Sequence, residues 1–310
     1  MCTHTKYLVI QMVYICSNCQ LPDKLLCMTN EKKQIAKIIK NSVLEDVGNG
    51  DITTSLLITN KQKATACILV KQDCIIAGIS ICKLICKCVD KTLQIDFKYK
   101  DGDFIKADTI IGYISGFAKS ILKAERIVLN FMQRMSGIAT KTNHYGKLID
   151  ITKTKILDTR KTTPNFRIIE KMAVKIGGGH NHRWGLYDEI LVKDNHIEAN
   201  GNLKNTLEKL EVGLRKIKSK YKIIVEVKSL SEFKVAVQHP FIDRILLDNM
   251  SPDQIKKIVK INNGEKVLEA SGGINSKTIL NFAMTGVDFV SIGELTHNIK
   301  SIDISLNIIK

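Results

Sequence analysis

Along the second half of the chain, short apolar runs recur, and each ends in a polar residue. Lys155–Leu157 runs into Asp158, Thr159 and Arg160, and Glu189–Val192 into Lys193, Asp194 and Asn195. Ile223–Val225 ends at Glu226, and Arg244–Leu247 at Asp248 and Asn249. Val267 and Leu268 lead to Glu269, Ala270, Ser271, Gly272 and Gly273, and Asp288–Ile292 ends at Gly293. Helix-like segments lie between them, such as Ser231–Gln238, Pro252–Ile261 and Ser276–Met284. Alternation of strand and helix makes a parallel sheet, and enough repeats close it as a barrel. Chemistry in such barrels sits at the C-terminal ends of the strands. Lys193, Glu226, Asp248, Ser271 and Gly293 are therefore expected to converge on one mouth.

The first half has another rhythm. Ile35, Ile38, Ile39 and Leu44 fit one helical face over Asn30–Leu44. A turn-rich stretch, Glu45–Asp51, follows. Ala64–Val70, Cys74–Ile79 and Leu93–Tyr99 read as strands, Asp101–Asp103 as a turn, and Ser120–Met135 as a helix. These elements predict a mixed α/β unit.

Composition narrows the class. The 310 residues suffice for one large domain or two ordinary ones. The net charge of +16 raises nucleic acid as a partner, but the lysines are scattered and no nucleic-acid motif is found, so none is expected. The charge still suits small anionic substrates. The nine cysteines are odd in number and confined to the first 88 residues. They read as reduced thiols of a cytoplasmic protein rather than a disulfide framework. Cys16 and Cys19 form a CxxC, but no second pair has zinc spacing. Tyr7–Cys16 is mostly apolar yet too short to span a bilayer, so no membrane association is expected. The first 27 residues read as an extension, with Met28 as an alternative start.

The chemistry-bearing residues are mostly cationic. Arg160 and Lys161 are adjacent cations at a strand end, which an anionic ligand would relieve; Arg can clamp carboxylate or phosphate through two parallel hydrogen bonds. Gly177-Gly178-Gly179 would let backbone approach a ligand, with His182 and Arg183 beside it. Lys193 is the first polar residue after its run and should point into the mouth. Asp194 and His196 are metal ligands in principle, but tying down the loop is the role expected of them. Glu226 and Asp248 suit either acid–base work or a site for Mg²⁺ and sugar hydroxyls. Among so many cations both should stay ionised, which favours the second role. Ser271–Gly273 and Gly293, each before a helix, suit phosphate. The set fits group transfer by positioning and charge stabilisation, with little proton chemistry.

DTRKTTP (158–164), GGGHNHR (177–183), LVKDNHI (191–197), VEV (225–227), LLDN (246–249), SGGI (271–274) and TGVDFVSIGELTH (285–297) together resemble quinolinate phosphoribosyltransferase. EDVGNGDITT (45–54) and AERIVLNFMQRMSGIAT (124–140) resemble its amino-terminal part. The match holds in order from about Lys32 to the end. The resemblance implies an α/β fold: an N-terminal α/β sandwich domain over residues 29–137, then an incomplete, about seven-stranded TIM-like α/β barrel over 138–294. Residues 1–28 would be the extension, and 295–310 a segment packing back on the first domain. It implies transfer of phosphoribosyl from phosphoribosyl pyrophosphate to quinolinate with decarboxylation, giving nicotinate mononucleotide for NAD biosynthesis. Lys193, Glu226 and Asp248 would be catalytic. Arg126, Thr159, Arg160, Lys161, His182, Arg183 and Lys193 would face the substrate anions. Glu226 and Asp248 would hold Mg²⁺ and ribose hydroxyls. Ser271, Gly272 and Gly273, and Gly293 with its neighbours Glu294 and Leu295, would bind the 5′-phosphate. A homodimer or higher homo-oligomer is implied, with Arg126 reaching the partner's site. Asn165, Phe166, His180 and the acid at Glu294 depart from the pattern. The alternative is a divergent homologue of the same fold acting on another anionic acceptor.

Overall fold

The computed structural model describes residues 30–217 and 220–309. The expected extension, with Met28 and the CxxC, lies outside them. The chain divides into two compact units: one runs to Gly137 and takes back the chain from Lys300 onward, and the other is Ile138–Ile299.

In the first unit, α1 (Asn30–Val47) is followed by α2 (Ile52–Leu57), β1 (Lys63–Val70), β2 (Cys74–Ile75) and α3 (Ile79–Val89). Then come β3 (Gln94–Phe97), β4 (Phe104–Ile105), β5 (Thr109–Phe117) and α4 (Ala118–Leu148). Several elements differ from the sequence reading, among them α2, α3 and β5. Asp51 closes the turn-rich stretch as an N-cap, accepting from the Thr54 amide at 2.9 Å, and so starts α2. The predicted strand at Cys74–Ile79 stops at Ile75. Gly78, at φ 100°, turns the chain into α3, whose Ile81, Cys82, Ile85 and Cys86 are buried. β5 was not foreseen; it carries Gly112 and Gly116 rather than an unbroken β-branched run.

The second unit alternates as expected. It runs β6 (Lys155–Leu157), α5 (Arg167–Ile176), β7 (Glu189–Val192), α6 (Asp194–Ala199), α7 (Leu203–Leu214), β8 (Lys222–Val227) and α8 (Leu230–Ala236). It continues through β9 (Arg244–Asp248), α9 (Pro252–Asn262), β10 (Val267–Ser271), α10 (Ile279–Ala283), β11 (Phe289–Ser291) and α11 (Glu294–His297). The six strands form one parallel sheet in the order β6-β11-β10-β9-β8-β7. A single parallel bridge from Leu157 to His180 adds to the β6 edge what remains of a seventh strand. This is the incomplete TIM-like barrel. Ile156, Val225, Ile245, Leu247 and Val290 are buried on the sheet face opposite to the one that carries Leu246, Glu269 and Ser291. α8 and α9 start on side-chain caps: Ser229 accepts from the Glu232 amide and Ser251 from the Gln254 amide. Each strand thus ends where its sequence turns polar, and the polar residues face one end.

The chain then returns to the first unit. β12 (Ile304–Ile309) pairs antiparallel with β1, completing a four-stranded sheet in the order β12-β1-β5-β3.

Candidate active site

A cavity of about 670 Å³ opens at the C-terminal ends of the barrel strands. Thr159, Arg160 and Lys161 after β6, His182 and Arg183, Lys193 after β7, Glu226 of β8 and Asp248 of β9 all line it. Ser271, Gly272 and Gly273 of β10 and its loop line it too, as do Gly293 and Glu294 after β11. Residues up to 138 positions apart in sequence are thereby gathered around one space by strand register (297 − 159). Arg126, expected to reach the site of a partner subunit, is exposed on α4 in the first unit. The Leu295 side chain is fully buried, which leaves its backbone as the part able to meet a ligand.

The cationic side is braced from below. Lys171, on α5, and Asp158 are both fully buried and form a close ion pair. Asp158 also accepts from Asn181 Nδ2 at 2.6 Å and from the His182 amide at 2.8 Å, and Lys171 Nζ donates to the His182 carbonyl at 2.9 Å. Burial pushes the Asp158 carboxyl up and the Lys171 ammonium down, each opposed by the other's charge. The hydrogen bonds compensate the pair's desolvation and fix the backbone carrying His182 and Arg183. Burial, then the nearby Arg160 charge, pushes the Arg183 guanidinium below its ordinary value. Arg160 Nε is buried with no hydrogen-bond partner among the described residues. Two guanidiniums in one place with an unpaired N–H are what an anionic ligand would satisfy.

The triple glycine does other work than expected. None of the three glycines lines the cavity. A Cβ on Gly177 would run into the Ala139 carbonyl and Thr142, and one on Gly179 into Thr142 and Val174. These glycines allow close packing against the second unit's part of α4.

The acidic side is sparse. Glu226 is nearly buried, and its Oε2 lies 3.5 Å from Lys193 Nζ. Burial pushes Glu226 up, Lys193 opposes this, and Asp248 adds to it. Asp248 Oδ2 accepts from Asn249 Nδ2 at 2.7 Å, and Asn249 takes a left-handed backbone at φ 54°. Asp194 and His196 tie the loop, as expected. His196 Nδ1 accepts from the Lys193 amide at 2.9 Å, and Asp194 accepts from Lys228 Nζ at 3.0 Å. No group of three or more His, Cys, Asp or Glu side chains among the described residues is placed to hold a metal ion. Glu226 and Asp248 alone fit a cation that keeps waters and takes its other ligands from a phosphorylated substrate, the habit of Mg²⁺.

The glycine side is built from backbone. Gly272 and Gly273 have φ of 95° and 62°, and a Cβ on Gly272 would overlap Asn249. The following helices are short, α10 of five residues and α11 of four. The loop amides, more than helix dipoles, are therefore what this side can offer an anion. Glu294 is reconciled with this side because Lys141 Nζ lies 3.4 Å from it.

Glu269 and His297 also line the cavity and were not singled out from sequence. The signal for Glu269 was an acid inside an apolar run, VLEAS.

The chain matches the family described as "Quinolinate phosphoribosyl transferase, C-terminal domain" over residues 138–307 and the corresponding N-terminal domain over 51–136. It is 40% identical over 275 residues to a probable nicotinate-nucleotide pyrophosphorylase [carboxylating] of Bacillus subtilis, covering 89% of this chain and 93% of that one. It is 38% identical to the chloroplastic nicotinate-nucleotide pyrophosphorylase [carboxylating] of Arabidopsis thaliana, over 87% and 82% of the two chains. The solved nicotinate-nucleotide pyrophosphorylase of Francisella tularensis superposes with a TM-score of 0.82 at 37% identity, over 94% and 98% of the two chains.

Proposed function

Because this chain belongs to the quinolinate phosphoribosyltransferase family, we propose that it joins quinolinate to phosphoribosyl pyrophosphate. The pyridine nitrogen bonds to ribose C1 as the C1–oxygen bond to pyrophosphate breaks. The ring carboxylate beside that nitrogen then leaves as carbon dioxide, and the electron pair left on the ring carbon takes a proton. Nicotinate mononucleotide, pyrophosphate and carbon dioxide are the products.

The observation that carries this reading is the placing of two guanidiniums, Arg160 with its unpartnered Nε and Arg183, in one cavity that also has a glycine cradle. A dicarboxylate fits the first and a sugar phosphate the second. His182, Lys161 and Lys193 add donors on the dicarboxylate side, while Glu226 and Asp248 take the ribose hydroxyls. Thr159 Oγ1 accepts from the Lys161 amide at 3.0 Å, which orients that loop. Glu226 and Asp248 would hold Mg²⁺, which would supply positive charge for a departing pyrophosphate. The cationic lining stabilises the negative charge that builds up on the leaving group and on the ring carbon.

The assembly belongs to the same reading: a homo-oligomer in which Arg126 of one subunit serves the site of another. Arg126 is exposed on α4, and α2 presents Ile52, Leu56 and Leu57 to solvent, each more than 70% exposed in the single chain. A cytoplasmic setting is supported by Cys67, Cys74, Cys82 and Cys86, which are free thiols. No helix among the described residues is long and apolar enough to cross a membrane.

Purified protein with Mg²⁺, phosphoribosyl pyrophosphate and quinolinate should yield nicotinate mononucleotide by mass, with all three required and nicotinate not replacing quinolinate. A folded sample giving no product would point to another anionic acceptor. Arg126→Ala and Lys193→Ala should each be inactive, while mixed oligomers of the two regain activity. No recovery on mixing would rule out a shared site.

A further inference from the structure

His182 is held at three of its four polar atoms. Asp158 accepts from its amide, Lys171 donates to its carbonyl, and its Nδ1 accepts from the Arg183 amide at 2.7 Å. An acceptor at Nδ1 leaves the ring proton on Nε2. That nitrogen lies 3.5 Å from Glu269 Oε1.

Glu269 is a fully buried carboxylate in the middle of β10. Its Oε2 accepts from Arg244 Nη1 at 2.9 Å, and Arg244 in turn lies over the Phe289 ring at 4.7 Å. Its Oε1 has no hydrogen-bond partner at ordinary distance. Burial disfavours its charge, but His182 and Arg244 together bring the carboxyl below its ordinary value. A buried anion with one oxygen secured and the other turned to a histidine N–H is a second-layer support for that N–H.

We propose that Glu269 is a positioning residue, anchored by Arg244, that orients the His182 Nε2–H at the cavity so that this N–H serves the pyridine dicarboxylate and not the phosphoribosyl substrate. This rests on the reading of the cavity given above. Nothing else on the His182 ring is free to present a donor. The 3.5 Å separation leaves the Nε2–H shared between Glu269 and an incoming carboxylate rather than locked to either.

Three measurements test it. In wild-type protein carrying ¹⁵N-histidine, the signals lost in His182→Ala should report the Nε2–H tautomer; a proton on Nδ1 would overturn the proposal without reference to activity. Glu269→Gln should raise KM for quinolinate by about tenfold while leaving KM for phosphoribosyl pyrophosphate within about twofold. Equal losses for both substrates would indicate a structural role instead. The double variant Glu269→Gln/His182→Ala should be no worse than His182→Ala alone, because Glu269 acts through His182; additive losses would refute that. If Glu269→Gln does not fold, the tautomer measurement still decides. If wild type makes no product from quinolinate, the enzymatic reading fails, and the tautomer result stands separately.

Discussion

Arg160, Arg183 and Lys193 meet the cavity as charged side chains, whereas the loop after β10 and Gly293 meet it largely as backbone. The two sides fail in different ways. A charged side chain near a low-dielectric interior needs something beneath it, and here that layer is the fully buried Asp158–Lys171 pair with Asn181. A backbone cradle needs the reverse, an absence of atoms: Gly272 has no room for a Cβ beside Asn249. One side is thus vulnerable to deletion and the other to addition.

The largest effect that sharpens this contrast is on the braced side. Lys171→Met strands Asp158 as an unpaired buried charge and should destabilise the protein by about 3–5 kcal/mol in denaturant unfolding. Asp158→Asn added to it should recover a good part of that loss. A single variant as stable as wild type would show that the pair is not the brace. On the backbone side, Gly293→Ala places a methyl 2.9 Å from Lys161 Cδ and 3.2 Å from the His297 ring. Its stability should fall by about 1–3 kcal/mol or less, since the Lys161 chain can swing aside. KM for phosphoribosyl pyrophosphate should rise more than KM for quinolinate; the opposite ordering would exchange the roles of the two sides. Far from the cavity, Arg215→Ala removes an exposed pair with Glu211 at 2.9 Å. It should change stability by less than about 1 kcal/mol and leave both KM values alone.

The same contrast explains what could be read from sequence. The strand ends were legible because each apolar run stops at a polar residue, and strand register brings those residues together without further information. Glu226, Asp248 and Lys193 needed only that rule. Lys171 was not legible, because a lysine in the amphipathic helix α5 reads as solvent-facing until Asp158 is seen to meet it. Glu269 was hidden for a like reason: its partners, Arg244 and His182, lie 25 and 87 residues away (269 − 244 and 269 − 182). The triple glycine was misjudged because glycine serves ligand approach and close helix packing equally well, and only the positions of Ala139 and Thr142 decide. In the first unit, α3 and β5 were missed where buried cysteines and glycines blur the periodicity that separates helix from strand.

The pairing of β12 with β1 has a consequence for how the protein is made. β1 leaves the ribosome early, yet the strand that covers its edge begins 234 residues later (304 − 70). Between them the whole of residues 138–299 must be synthesised, which at roughly 10 residues per second takes on the order of 15 seconds. Throughout that interval β1 presents an open edge to its surroundings. The unit that begins first is therefore finished last, and in the nascent chain Ile68 and Val70 wait for Leu306 and Ile304.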